Sequence, residues 1–185
     1  MFADSNARAG QVALFLAGPP GAGKSSVARV VARRLRAALI DSDAVFGAVV
    51  PLLADVDPGQ VREALYDGLL ESVAAAAAVG IHVVVVAPYT RERRSASEWE
   101  RVRQRTRAAG AEAVLAWVHA PTDVLLRRMA GRGEGRDAGK LIDPQAWLKD
   151  AQPEAPPVVA HLSVDGTLAV QAAAKSLLSQ LEAVF

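Results

Sequence analysis

The residues most able to do chemistry lie together near the start of the chain. Gly18-Pro19-Pro20-Gly21-Ala22-Gly23-Lys24-Ser25 satisfies the spacing G-x-x-x-x-G-K-[ST] at every specified position. Gly18, Gly21 and Gly23 let the backbone take positive φ, so that several amide N–H groups turn inward as a nest for an anion. Lys24 is long enough to reach the β- and γ-phosphates of a nucleotide, and the Ser25 hydroxyl is a hard oxygen suited to Mg²⁺. Ser26 carries the chain into a helix whose positive dipole end faces the same point. The chemistry expected of this stretch is the binding of nucleotide phosphates with Mg²⁺.

A second group follows at Asp41-Ser42-Asp43. On an extended segment the two carboxylates share a face, because side chains alternate with period two. One would hold Mg²⁺, directly or through water, and the other would accept a proton from a hydroxyl attacking the γ-phosphate. A third group is the series Arg128, Arg132 and Arg136, the last two in or beside the glycine-rich stretch of residues 131–140. Arginines on a closing lid stabilise the charge of a phosphoryl group in flight and exclude water. No N/T-K-x-D or D-x-x-G motif is present, which argues against a guanine-nucleotide switch. The apolar run Val83 to Ala87 ends without Asp or Glu, so the metal role is assigned to Asp41.

The elements that must position these groups are legible from periodicity. Val12 to Ala17 has the length and apolarity of a buried strand, and Val27, Val30, Val31 and Leu35 recur at helical spacing after the loop. Ala38-Leu39-Ile40 forms a second strand, followed by a short helix through Val45, Phe46, Val49 and Val50. Asp57-Pro58 opens a long helix that Gly80 closes. Ile81 to Ala87 is a central parallel strand, Ser95 to Ala109 a charged helix, and Ala113 to His119 a further strand. A helix through Val124, Leu125 and Met129 leads into a mobile flap at about 131–142. A short helix through Trp147, a last strand at Val158 to Val164 and a helix from Leu168 to Val184 complete the chain. Strands alternating with helices give an α/β, three-layer fold, with about five parallel strands and helices on both faces. Residues 1–10 read as a loose leader and 11–185 as a single domain.

Composition narrows the partners. The 185 residues carry a formal net charge of +1 and are 51% hydrophobic, which gives no reason to expect nucleic acid or a membrane surface. There are no cysteines, so disulfides, thiolate metal sites and a cysteine nucleophile are excluded. The N-terminus has neither the basic start nor the apolar run of a signal peptide, and a soluble, cytoplasmic protein is expected, as monomer or homodimer.

Taken together, phosphate loop, D-x-D after the second strand and arginine-bearing lid after the fourth resemble the small P-loop kinases of the nucleoside-monophosphate-kinase-like fold. Shikimate kinase, gluconate kinase and chloramphenicol phosphotransferase belong to that group. The resemblance implies an ATP-dependent kinase phosphorylating a hydroxyl of a small-molecule acceptor, of sugar-acid, cyclic-acid or antibiotic type. It gives Asp41 to the metal, Asp43 to the acceptor hydroxyl, and Arg132 or Arg136 to the lid. Arg128 and the loop Val164-Asp165-Gly166-Thr167 would contact adenine. Ala87-Pro88-Tyr89-Thr90-Arg91 departs from the glycine-rich motif of shikimate kinases, so the acceptor pocket is this chain's own. Tyr89, Thr90, Arg91, Arg93 and Arg62 are its candidates. A nucleotide or nucleotide-sugar kinase, and a nucleotide-binding ATPase or switch without an acceptor, are the alternatives.

Overall fold

Five strands, β1 (Gln11–Ala17), β2 (Ala38–Asp41), β3 (Val83–Val86), β4 (Ala111–His119) and β5 (Leu162–Asp165), pair in parallel in the order β2-β3-β1-β4-β5. This computed structural model describes residues 10–184, without the side chain of Arg136, so the expected leader lies outside the described residues apart from Gly10. The helices are α1 (Lys24–Leu35), α2 (Ser42–Phe46), α3 (Pro58–Ala78), α4 (Ala96–Ala108), α5 (Thr122–Arg132), α6 (Ala138–Ile142), α7 (Pro144–Ala151) and α8 (Val170–Glu182). Two 3₁₀ turns, Val50–Leu53 and Gly135–Asp137, lie between them.

The uniform apolarity of β1 has a direct structural cause. Leu14 and Leu16 pack with Val27 and Val31 of α1 and with Leu177 and Leu181 of α8 on one face. Phe15, between them, packs with Leu69, Leu70 and Val73 of α3 and with Trp99 and Val102 of α4 on the other. A strand covered on both faces has no polar side, and each large side chain it buries contributes about 1.5–3 kcal/mol. Phe15 also meets Tyr89 and Trp99 edge-on, with ring centroids 5.5 and 5.6 Å away.

Helix starts follow local chemistry. Asp57 accepts from the Gln60 amide at 2.9 Å ahead of Pro58, and Asp143 accepts from Ala146 at 3.0 Å ahead of Pro144. Such caps satisfy amide donors that the helix leaves without partners. The chain leaves β1 through α1 on one face and leaves β3 through α4 on the other. The crevice beyond the carboxyl ends of these two adjacent strands is where open α/β sheets bind ligands.

Several extents differ from those read in the sequence. The helix expected through Val45 to Val50 is divided into α2 and a 3₁₀ turn. The last strand starts at Leu162 instead of Val158, because the Val158 amide donates to the Arg93 carbonyl at 2.9 Å and ties that stretch to the loop after β3. The flap expected at 131–142 is helical over most of its length. Its ordering residue is Asp137, fully buried although its neighbours are glycines and charges.

Candidate active site

The phosphate loop spans the gap between β1 and α1. Gly18 sits at φ +147°, and a Cβ there would lie 2.2 Å from the Val118 carbonyl oxygen, so the loop can leave β1 this close to β4 only as glycine. At the other end Gly23, at φ +98°, precedes α1 without any side-chain cap, and the first turn of α1 carries no acidic residue. The helix therefore starts with amide donors directed at the crevice, the arrangement that binds a phosphate. Lys24 Nζ donates to the Pro19 carbonyl at 2.9 Å and so curls back over its own loop.

A cavity of about 230 Å³ opens above α1. The phosphate loop lines it through Pro20, Gly21, Gly23, Lys24, Ser25 and Ser26. Ser42 and Asp43 of α2, Ala87 and Pro88 after β3, and Arg132, Asp137 and Lys140 complete its wall. Gly18, Pro19 and Ala22 stand outside this lining. Ala22 is part of the core, and Gly18 and Pro19 line a neighbouring cavity with Pro20, Pro88 and Thr90.

The two aspartates do not share a face. α2 begins at Ser42, which replaces the period of two by the helical period, and Asp41 Oδ1 accepts the Asp43 amide at 3.1 Å. Asp41 is thus the N-cap of α2, and of the two only Asp43 lines the cavity. The expected metal role of Asp41 is not supported by this placement. Among the described residues no group of three or more His, Cys, Asp or Glu could hold a metal ion. A Mg²⁺ would fit here as the companion of nucleotide phosphates, with Ser25 and Asp43 as the protein oxygens nearest the loop, since Mg²⁺ is commonly held by one or two carboxylates plus phosphates.

Arg132 donates from Nε to Asp137 Oδ2 at 2.6 Å and lies within 2.5 Å of the same oxygen through Nη2, while Lys140 Nζ reaches Oδ1 at 3.3 Å. One buried carboxylate thus holds two cations against the phosphate cavity. The sequence reading missed Asp137 and Lys140. The available signal was Asp137 at i+5 from Arg132 and i−3 from Lys140. The side chain of Arg136 lies outside the described residues.

Arg128 donates to the Gly166 carbonyl at 2.8 Å and to the Gly21 carbonyl at 3.2 Å. It staples the phosphate loop to the loop after β5, where an adenine contact was expected. Asp165, which ends β5 just before that loop, accepts from the Thr167 hydroxyl and amide, which lower its carboxyl from the ordinary value.

The remaining acceptor candidates are not gathered in the phosphate cavity. Tyr89 is buried against Phe15 and Tyr66 at φ +47°, and its hydroxyl has no hydrogen-bond partner among the described residues. It is a core residue, because β3 turns inward immediately after Pro88. Arg93 is buried, donates to the carbonyls of Ala151, Gln152 and Ala155, and lies 4.7 Å above the Trp117 ring. Burial, and then the neighbouring Arg94, lower its pKa to about 10. Arg91 is exposed and lines neither the phosphate cavity nor the one containing Thr90. Arg62 pairs with Glu92, each carboxylate oxygen 3.2 Å from Nη2.

Comparison with known proteins places the fold. The gluconokinase of Sinorhizobium meliloti superposes with a TM-score of 0.60 at 19% identity, over 94% of this chain and 93% of that one. The APS kinase of Mycobacterium tuberculosis, in complex with AMPPNP and APS, gives 0.64 at 21% identity over 94% and 98%. The shikimate kinase of Acinetobacter baumannii, in complex with shikimate, gives 0.62 at 18% identity over 94% of each chain. These likenesses establish a shared three-layer P-loop fold. No curated protein matches the sequence. The profile of the AAA domain family matches residues 14–151, most of the chain and all of the loop, α2, lid and β4 described above. The chain belongs to the AAA domain family.

Proposed function

We propose that the protein is an ATP- and Mg²⁺-dependent phosphotransferase that moves the γ-phosphoryl group of ATP to a hydroxyl of a small molecule. The observation that carries this reading is the convergence on one cavity of a phosphate loop, the carboxylate Asp43 and two lid cations. A carboxylate that faces the loop across the cavity can take the proton of an attacking hydroxyl as well as stand beside a metal. Kinases with three different acceptors share the fold, which supports the reading by analogy.

In this reading the loop amides and Lys24 hold the β- and γ-phosphates, Lys24 exchanging its Pro19 carbonyl for phosphate oxygen. Ser25 and Asp43 would stand beside Mg²⁺, which when bound would supply neutralisation of phosphate charge. The acceptor oxygen bonds to the γ-phosphorus while the bond from that phosphorus to the bridging oxygen breaks, leaving ADP. The proton of the acceptor hydroxyl passes to Asp43, or Asp43 only orients that hydroxyl. Arg132, positioned by Asp137, and Lys140 face the charge that develops on the moving group. Among the described residues no helix is long and apolar enough to cross a membrane, and our reading is of a cytoplasmic enzyme.

The test is ATP turnover with product detection by mass spectrometry across sugars, sugar acids, nucleosides and neutral aryl alcohols. A phosphorylated acceptor formed in step with ADP supports the reading. ADP released at the same rate with or without any acceptor, with free phosphate as the sole product, refutes it.

A further inference from the structure

A second cavity, of about 320 Å³, lies between the 3₁₀ turn Val50–Leu53 and the first turns of α3. Its volume is at the lower end of the range of about 300–1,000 Å³ typical of ligand sites. Its walls include Val50, Leu53, Val56, Val61, Leu65 and Tyr66. The one charged side chain among its described lining residues is Arg62.

The two cavities have no lining residue in common, but two segments of the chain connect them. Asp43 lines the phosphate cavity and Val50 the other, and the seven steps along the chain between them run through α2 and the turn that follows it, roughly 10 Å at about 1.5 Å per step. Opposite, α3 is tied to the loop after β3. Tyr66 meets Tyr89 edge-on at 5.6 Å and Arg62 pairs with Glu92, while Pro88 of the same loop lines the phosphate cavity. A molecule seated between the 3₁₀ turn and α3 would therefore have its nearest catalytic carboxylate in Asp43.

The charge of the second cavity is already balanced. The Arg62 guanidinium lies 4.1 Å above the Tyr66 ring and gives one nitrogen to both oxygens of Glu92, whose side chain is only 6% exposed. An entering carboxylate would either displace Glu92, stranding a buried charge, or lie beside it and be repelled. Arg93, another arginine expected at the acceptor, is also committed, to three carbonyls. Burial, with the Glu92 charge second, pushes the Tyr66 phenol up to about 12, so it stays an uncharged donor.

We infer that the acceptor is an uncharged alcohol with an apolar, ring-bearing or branched body, seated against Val61, Leu65 and Tyr66 with its hydroxyl toward Asp43. The inference rests on the phosphotransfer reading above. It separates this chain from acceptors bearing a carboxylate or phosphate, since nothing in the second cavity is placed to neutralise one.

The test uses the intact protein and a matched pair of probes, phenethyl alcohol and its para-carboxylate, titrated by ligand-observed NMR with a fluorescent ATP analogue as a parallel readout. The neutral probe is expected to bind at least about tenfold more tightly than the carboxylate. Leu65→Asp should weaken the neutral probe by about tenfold or more and leave the nucleotide affinity unchanged. Val61→Ser, at a partly exposed position, should weaken it a few-fold and serves if Leu65→Asp does not fold. Equal or tighter binding of the carboxylate, or binding of neither probe, overturns the inference. Phosphorylation of an acid in preference to its neutral analogue would overturn the acceptor class and leave the kinase reading standing. Tight binding of the neutral probe with no phosphoryl transfer from ATP to any alcohol would overturn the kinase reading and this inference with it.

Discussion

The phosphate loop is held from behind, and Gly166 is the point at which that support can be tested without changing a residue of the phosphate loop itself. A Cβ at Gly166 would lie 2.2 Å from the Ala22 carbonyl oxygen and 2.8 Å from that of His119. Both obstacles are backbone, and the Gly166 amide is fixed by a 2.7 Å bond to the same His119 carbonyl. Neither side can yield by a rotamer change, so Gly166→Ala must push the phosphate loop or the loop after β5. Forcing one extra methyl into a closed backbone contact costs about 1–3 kcal/mol. If most of that is relieved by displacing the phosphate loop, nucleotide affinity falls roughly ten- to hundredfold, at about 1.4 kcal/mol per decade. The assay is titration with a fluorescent ATP analogue alongside thermal unfolding. Gly131→Ala is the control, because that glycine lies in α5 with open space around its Cβ position and should gain about 0.5–1 kcal/mol in stability. Wild-type nucleotide affinity in Gly166→Ala would refute the claim that loop packing sets the cradle.

Other outcomes follow from the same geometry. Tyr89→Phe removes a buried hydroxyl that has no partner among the described residues and should leave stability unchanged or raise it by up to about 1 kcal/mol, whereas a clear drop in the unfolding midpoint would show that the hydroxyl is satisfied. Asp137→Asn removes the carboxylate shared by two cations whose side chains are 30% and 28% exposed. Removing one partner of a buried pair costs about 3–5 kcal/mol, and their access to water reduces the expectation to about 2 kcal/mol by denaturant unfolding. No loss would mean that Asp137 orders nothing. Glu154 and Asp165 have carboxyls lowered below 4.5 and 3.8, Glu154 by the Thr122 hydroxyl and then its amide, Asp165 by the Thr167 hydroxyl and amide. Their stabilisation is complete above those ordinary values and is lost as pH falls through the lower folded ones. Carboxyl titration by NMR should give midpoints below 4.5 and 3.8, and midpoints at or above them would contradict the bonding.

The sheet and its helices were readable because each is written in short-range terms. The uniform apolarity of Val83 to Val86 follows from burial on both faces, and Asp57-Pro58 and Ser95 cap helices through bonds spanning three residues. The phosphate loop was readable for the same reason. What local pattern did not show was where a helix interrupts an extended run. α2 starts one residue earlier than alternation requires, and Asp41 becomes a cap instead of facing the cavity beside Asp43. Arginines were over-assigned to the acceptor because their partners are distant in sequence. Arg62 meets Glu92 thirty residues on, and Arg93 finds carbonyls some sixty residues on. Asp137 looked like one more charge in a glycine-rich stretch, and only its complete burial marks it as the residue that holds the lid cations.

The central claim is that Asp43 and the phosphate loop are two halves of one transfer site, and Asp43→Asn tests it most directly. Asp43 lines the cavity with Lys24 and Ser25 and is exposed, so the amide should leave the fold intact. With the acceptor found by the turnover screen, transfer should fall by about 100-fold or more, within the 10²–10⁴ that a positioned base contributes, while ATP titrated without Mg²⁺ binds within about threefold of wild type. Full transfer by Asp43→Asn would contradict the account.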